Sequence, residues 1–143
     1  MQLYLRVPAF APIPEVVDFT LRCEKAGFHG VGFLDSPFLN RDVFVTLSQA
    51  AVATSQLQLA AAVTNPITRH VSVLASAAKS VEELAPGRLA IWIGRGETAV
   101  KLAGLPHASV GQIRSTVLTL KRLLAGEWDI FPGVHSRMRY GGD

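Results

Sequence analysis

Four short apolar runs recur along this chain at nearly equal intervals, and that spacing limits the folds open to it. The runs are Leu3–Val7, Gly30–Leu34, Leu57–Val63 and Arg88–Ile93, and their starts lie 27, 27 and 31 residues apart. Each is almost continuous in apolar character rather than alternating, as expected of parallel strands covered on both faces. The interval is about one strand, one helix and two loops. Helical patterns fill the gaps. The first starts at Pro12 and Pro14, carries Val17, Leu21 and Phe28, and has Gly27 where a C-terminal cap belongs. A second follows Asp42, a good N-cap, with Phe44, Leu47 and Ala51 on its buried side. The third runs through Val73, Leu74, Ala77, Val81 and Leu84 and stops at Pro86-Gly87. The fourth opens on Ser109 and Gln112, a capping-box pattern, and ends at Gly126.

The predicted order is therefore βαβαβαβα, an α/β fold over residues 1–126, followed by a loop or hairpin tail at 127–143. Two architectures accept it, an open doubly wound sheet or half of a (βα)₈ barrel. A complete barrel takes about 250 residues, so a chain of 143 supplies half of one. Half a barrel has two unpaired sheet edges and an uncovered inner face. The expected partners are accordingly further copies of the chain, as a homo-oligomer, or a completing half-barrel.

Composition narrows the class. Hydrophobic residues make up 49% and charged residues 17%, which excludes intrinsic disorder. Pro, Gly, Gln, Thr or a charge interrupts every apolar stretch well short of the roughly 20 residues of a membrane span. Residues Met1 to Phe10 show no cleavable apolar segment, so the expected location is the cytoplasm. The single cysteine, Cys23, reads as a small core residue. Net charge is +3, with the basic residues scattered and not interleaved with aromatics, so neither nucleic acid nor membrane is an expected partner.

In both architectures ligands bind at the carboxyl ends of the strands. That rule selects Pro8, Ala9 and Phe10, then Asp35 and Ser36, then Thr64, Asn65, Arg69 and His70, then Gly94, Arg95, Gly96, Glu97 and Thr98. Asp35 is either a group that orients substrate or exchanges a proton, or a turn residue beside Ser36-Pro37. His70 is either a general acid–base, a cap of the third helix, or a partner of Asp35. Arg69 either holds an anionic ligand or pairs with Asp35 or Glu97. Glu97 follows two glycines at a strand end, where little side-chain cover stands over it; an enclosed carboxyl there could donate a proton. The run Gly94 to Ala99 also fits a dinucleotide fingerprint, but the acidic residue expected about 20 positions on is replaced by helical Thr116–Lys121. Metal-ligand spacing and a Gly-x-Ser-x-Gly elbow are both absent. Trp92 reads as core.

Several of these segments together resemble the bacterial luciferase-like monooxygenase superfamily. They are Gly30-Val-Gly-Phe-Leu-Asp35-Ser-Pro-Phe, Arg41-Asp-Val-Phe-Val-Thr-Leu, Val63-Thr-Asn-Pro-Ile-Thr-Arg-His70 and Ala85-Pro-Gly-Arg-Leu-Ala-Ile-Trp-Ile-Gly-Arg-Gly-Glu97. The branch they are most similar to is the coenzyme F420-dependent one, the methylene-tetrahydromethanopterin reductase-like enzymes. The resemblance implies the N-terminal half of a (βα)₈ barrel that binds F420 or FMN, with hydride passing between the cofactor and a small organic substrate. It also implies a non-prolyl cis peptide at Ala62–Val63 and a proton-donating role for Glu97, with Asp35 near the ring. His70 joins them as a candidate catalytic group, and Ala62, Val63, Thr64, Asn65, Arg69, Gly94, Gly96 and Thr98 are the candidate cofactor-binding residues. This chain departs from the pattern with Val71 in place of Pro after Arg-His, and with Glu97 where many members carry Asp. The alternatives are a non-catalytic half-barrel that binds a partner chain or flavin, and a small open-sheet nucleotide-binding protein.

Overall fold

Strand order decides between the two architectures. In the computed structural model, which describes residues 1–8 and 10–142, the four strands are β1 (Tyr4–Arg6), β2 (Gly30–Phe33), β3 (Gln58–Thr64) and β4 (Leu89–Ile93). Ala9, a candidate after the first strand, lies outside the described residues, as does Asp143. The helices are α1 (Ile13–Lys25), α2 (Val43–Ala53), α3 (Val71–Leu84), α4 (Glu97–Leu102) and α5 (Val110–Leu124). All strands pair in parallel in the order β1-β2-β3-β4. A doubly wound nucleotide-binding sheet reverses direction at a switch point; here every crossover advances the same way. Right-handed crossovers then place the helices on one face, and they pack in sequence, α1 on α2, α2 on α3 and α3 on α5. This is the plan of half a barrel.

The core fills the space between sheet and helices. Val31, Phe33, Leu59 and Ala61 meet Val16 and Cys23 of α1, Phe44 and Leu47 of α2, Leu74 and Val81 of α3, and Leu120 and Leu123 of α5. Local chemistry fixes the helix starts. Asp42 caps α2 by accepting from the N–H groups of Phe44 and Val45, and Ser109 and Gln112 form a reciprocal capping box on α5.

The opposite face of the sheet carries small residues at its centre. Gly30 pairs with Tyr4 and Gln58, and Gly32 with Arg6 and Ala60; Ala62 pairs with Trp92. The rings of Tyr4 and Trp92, from the two edge strands, lean across these small residues to a centroid separation of 5.9 Å. A Cβ on Gly30 would stand 2.3 Å from the Tyr4 ring and 2.8 Å from the Gln58 carbonyl, so no larger residue fits there. Trp92 is therefore not core, as its sequence suggested. It sits on the face without helices and is 46% exposed.

One helix differs from expectation. The sequence predicts no helix between the fourth strand and Ser109, yet α4 begins at Glu97, with Gly96 as its N-cap at φ +85°. A helix of six residues is too short to show periodicity, and the glycines before it look like turn. In the tail, residues 127–142 form neither helix nor strand. Ile130, Phe131 and Met138 nevertheless pack against the core, and the Tyr140 hydroxyl lies 2.9 Å from Ser76 Oγ. No helix among the described residues is long and apolar enough to cross a membrane.

Two charged residues close the amino end of the sheet. Glu24, near the end of α1, accepts from the backbone N–H groups of Ser55, Gln56 and Leu57, the shortest at 2.7 Å. Arg88, from the Pro86-Gly87-Arg88 turn, donates to the Ala51 carbonyl at 2.8 Å and to Thr54 Oγ1 at 2.9 Å, which satisfies the C-terminal end of α2. Burial alone would raise the Glu24 carboxyl; the three N–H donors and nearby Arg88 outweigh it and hold it below the usual 4.5. The bond set therefore adds stability at neutral pH that is lost as pH falls through that depressed value. Glu24→Gln is expected to lower stability at pH 7 by about 1 kcal/mol, a figure discounted for partial exposure. In urea unfolding followed by circular dichroism, the gap between the two proteins should close below pH 4.5; a gap independent of pH would disprove the assignment.

Candidate active site at the carboxyl ends of the strands

The strand ends gather polar groups in two shells. Asp35, two residues beyond β2, is 4% exposed. Its Oδ2 accepts from the Thr64 hydroxyl at 2.6 Å, and its Oδ1 faces Arg69 Nη2 at 3.5 Å. Arg69 in turn donates to Asp42 at 2.9 Å and lies over the Phe44 ring, 5.1 Å from its centroid. Burial opposes ionisation of the Asp42 carboxyl, but the Arg69 bond, the Arg69 charge and the two N–H groups of α2 hold it below the usual carboxylate range. Arg69 is thus a strut that ties the β2 end, the α2 cap and the β3 loop together.

The end of β3 bulges. Ala62 pairs with Trp92 and Thr64 with Ile93, so Val63 is left without a partner in the ladder. The Ala62–Val63 peptide is cis, at the bond the family resemblance implies. Val63 is 43% exposed. Asn65, 1% exposed, accepts at Oδ1 from the N–H groups of Ile67 and Thr68, while its Nδ2 has no partner. The buried hydroxyl of Ser36 also lacks one. Gly94 donates its N–H to the Thr64 carbonyl at 2.9 Å; a Cβ there would lie 3.0 Å from Val63 Cγ1. Gly96 combines a left-handed backbone with contact against Asn65 and Val100, where a Cβ would fall at 2.9 and 2.3 Å.

These residues surround a cavity of about 350 Å³ open to solvent. It brings together Asp35, Ala62, Val63, Thr64, Asn65, Gly94, Gly96, Glu97 and Thr98, every candidate catalytic or cofactor-binding residue except Arg69 and His70; Pro8 and Phe10, selected with the first strand end, do not line it. Arg69 stands behind the cavity, bound to Asp35 and Asp42. His70 is turned to α3, where its Nδ1 accepts from the Ser72 N–H at 3.3 Å, and its ring lies 5.7 Å from that of Phe131. Of its sequence readings, the helix cap describes that geometry. Glu97 reaches the cavity but is not enclosed; its side chain is 70% exposed. Arg95 and His107 flank it, at 3.6 and 3.7 Å.

Arg6 and His107 are residues the sequence did not single out. Arg6 lines the cavity from β1, and its only signal was a charge within an apolar strand. His107 comes from the loop after α4, and nothing in its local sequence marks it. Among the described residues, no cluster of three or more His, Cys, Asp or Glu could hold a metal ion.

A family model, luciferase-like monooxygenase, matches residues 3–140. The chain belongs to that family. It is 30% identical over 133 residues to a 5,10-methylenetetrahydromethanopterin reductase of Methanolobus tindarius, covering 92% of this chain and 40% of that protein. It is 31% identical over 139 residues to an F420-dependent glucose-6-phosphate dehydrogenase of Intrasporangium calvum, covering 86% of this chain and 42% of that one. Among solved structures, the coenzyme F420-dependent tetrahydromethanopterin reductase of Methanopyrus kandleri superposes with a TM-score of 0.80 at 23% identity, covering 87% of this chain and 40% of its own. The chain spans about 40% of the length of these relatives. Four parallel strands in this order are thus the first half of the family's barrel.

Thr64→Val, which keeps the shape and removes the hydroxyl, leaves a buried carboxylate oxygen without its donor. The expected loss is about 1–3 kcal/mol in urea unfolding, with most of it restored in Thr64→Ser. Equal stability of all three proteins would show that Asp35 does not depend on this bond.

Proposed function

We propose that this chain provides the N-terminal four βα units of an F420- or flavin-dependent oxidoreductase, and that the cavity at the strand ends receives the ring of the cofactor. The observation that carries the reading is the convergence of Asp35, Val63, Asn65 and Glu97, from the ends of three different strands, on one cavity in a member of this family. The residues fit a planar, acceptor-bearing ring. Gly94, Gly96 and Ala62 put no more than a methyl group into the lining, and two buried donors of residues in the same lining, Ser36 Oγ and Asn65 Nδ2, lack partners. Such a ring supplies hydride transfer when bound. The chain's own residues do the rest. Val63 rises from the bulge as an apolar surface for one ring face. Asp35, locked by Thr64 and Arg69, holds a fixed negative charge at the cavity wall. Glu97 at the rim exchanges a proton with the substrate. The substrate is a small organic molecule.

The face of the sheet without helices supports a further element of the reading: a second half-barrel, from another copy or from a completing segment, covers it. Tyr4, Gly30, Gly32, Ala62 and Trp92 present an apolar surface there, with unpaired edges at β1 and β4.

The test is equilibrium titration of the purified chain with F420 and with FMN, followed by fluorescence. Saturable binding of one of them is expected, weakened at least tenfold in Gly94→Val, whose side chain would crowd Val63 on the cavity floor. A chain that binds neither, at any concentration up to millimolar, would overturn the reading in favour of a non-catalytic half-barrel.

A further inference from the structure

Glu97 is bracketed rather than free. Arg95 Nη2 lies 3.2 Å from Nδ1 of His107, and Arg95 Nε lies 3.6 Å from Glu97 Oε2. His107 Nε2 lies 3.7 Å from Glu97 Oε1. The backbone builds this arrangement from two loops. Ala108, buried beside His107, donates its N–H to the Arg95 carbonyl at 3.1 Å, and Leu105 donates to the Val100 carbonyl, which folds the α4–α5 loop back over the start of α4. Ser109 then caps α5 and fixes the far end of the same loop.

The chemistry of the three groups orders their protons. A guanidinium has donors and no acceptor, so the contact between Arg95 and His107 requires an unprotonated Nδ1. A neutral imidazole carries one proton, which must then be on Nε2. That nitrogen is buried and has no hydrogen-bond partner, and the Glu97 carboxylate oxygen Oε1 lies 3.7 Å from it.

We infer that His107 is a positioning residue for Glu97, set by Arg95 as the Nε2–H tautomer and directing that N–H at Oε1 while Arg95 faces Oε2. A small side-chain rotation or one bridging water closes both separations. The pair holds a long, exposed side chain over the cavity that would otherwise sample solvent-facing rotamers, and near-attack placement of such a group governs its usefulness in catalysis. The importance of Glu97 rests on the function proposed above; the tautomer does not, and can be read without any cofactor.

The experiment is two-bond ¹H–¹⁵N correlation of the histidine rings in the full, uniformly labelled chain. His107 is expected as the Nε2–H tautomer. Arg95→Met should raise the Nδ1–H share several-fold, and Arg95→Lys, which restores a donor, should reverse the change. Arg95 is largely exposed, so these variants leave the fold in place. Glu97 χ1 couplings give the second readout. They should report one rotamer in the native chain, averaging in His107→Phe, and recovery in His107→Gln, whose amide stands in for Nε2–H. An Nδ1–H tautomer in the native chain, or couplings untouched in His107→Phe, would overturn the inference. Absence of F420 and FMN binding alongside the expected tautomer would remove only the proposed function.

Discussion

A parallel sheet whose crossovers all advance the same way has helices to cover only one of its faces. Every other feature of this protein follows from that constraint. The covered face accepts bulky side chains, Phe33, Leu59, Leu74 and Leu47, and forms the core. The other face has no helices to fill it, and the sequence meets this with Gly30, Gly32, Ala60 and Ala62 at the centre and one aromatic ring from each edge strand. Small residues there have two effects. They reduce the apolar area left open, and they leave room at the carboxyl end, where Ala62 and Gly94 line the cavity.

The two ends of the sheet use charge differently. At the amino end, Glu24 and Arg88 are spent on backbone groups: three N–H donors for one, helix-end and loop carbonyls for the other. Both side chains are engaged in holding helix ends and loop backbone, which suits a structural face. At the carboxyl end the accounts do not close. Ser36 Oγ, Asn65 Nδ2 and Arg69 Nε are buried without partners, and the exposed Arg6 lines the cavity. Buried polar atoms are almost always satisfied in folded proteins. Their accumulation at one end, beside the cavity, distinguishes a place built for something further from a place built to stay shut.

How much of this was legible in the sequence depends on the range of the interaction. Strands and the longer helices were readable because a run of apolar residues and a cap such as Asp42 or Ser109 act over a few positions. The strand-end rule then placed Asp35, Thr64, Asn65 and Glu97 near one another without knowledge of any contact. Three things escaped. The helix α4 is too short to carry a period. Trp92 looked like core because its strand is apolar, and only the strand order reveals that its face has no helices. His107 reached the site through a loop fold held by the Ala108–Arg95 backbone bond, an interaction that leaves no trace in residue type.

The exposure of Glu97 links the architecture to the chemistry. In the proposed function Glu97 exchanges a proton with the substrate, which works best where water is excluded, yet in these four βα units its side chain stands 70% exposed at the rim. By contrast Asp35, 4% exposed, is closed off by this chain's own Thr64 and Arg69. The two carboxylates therefore differ: Asp35 has its environment in full, whereas under the proposed function the cover over Glu97 comes from a bound ring, from strands beyond β4, or from both. The relatives, more than twice as long as this chain, have sequence for such strands. Under the proposed function the four units supply the wall and floor of the site and hold Glu97 at its rim, while water exclusion falls to whatever covers the open side.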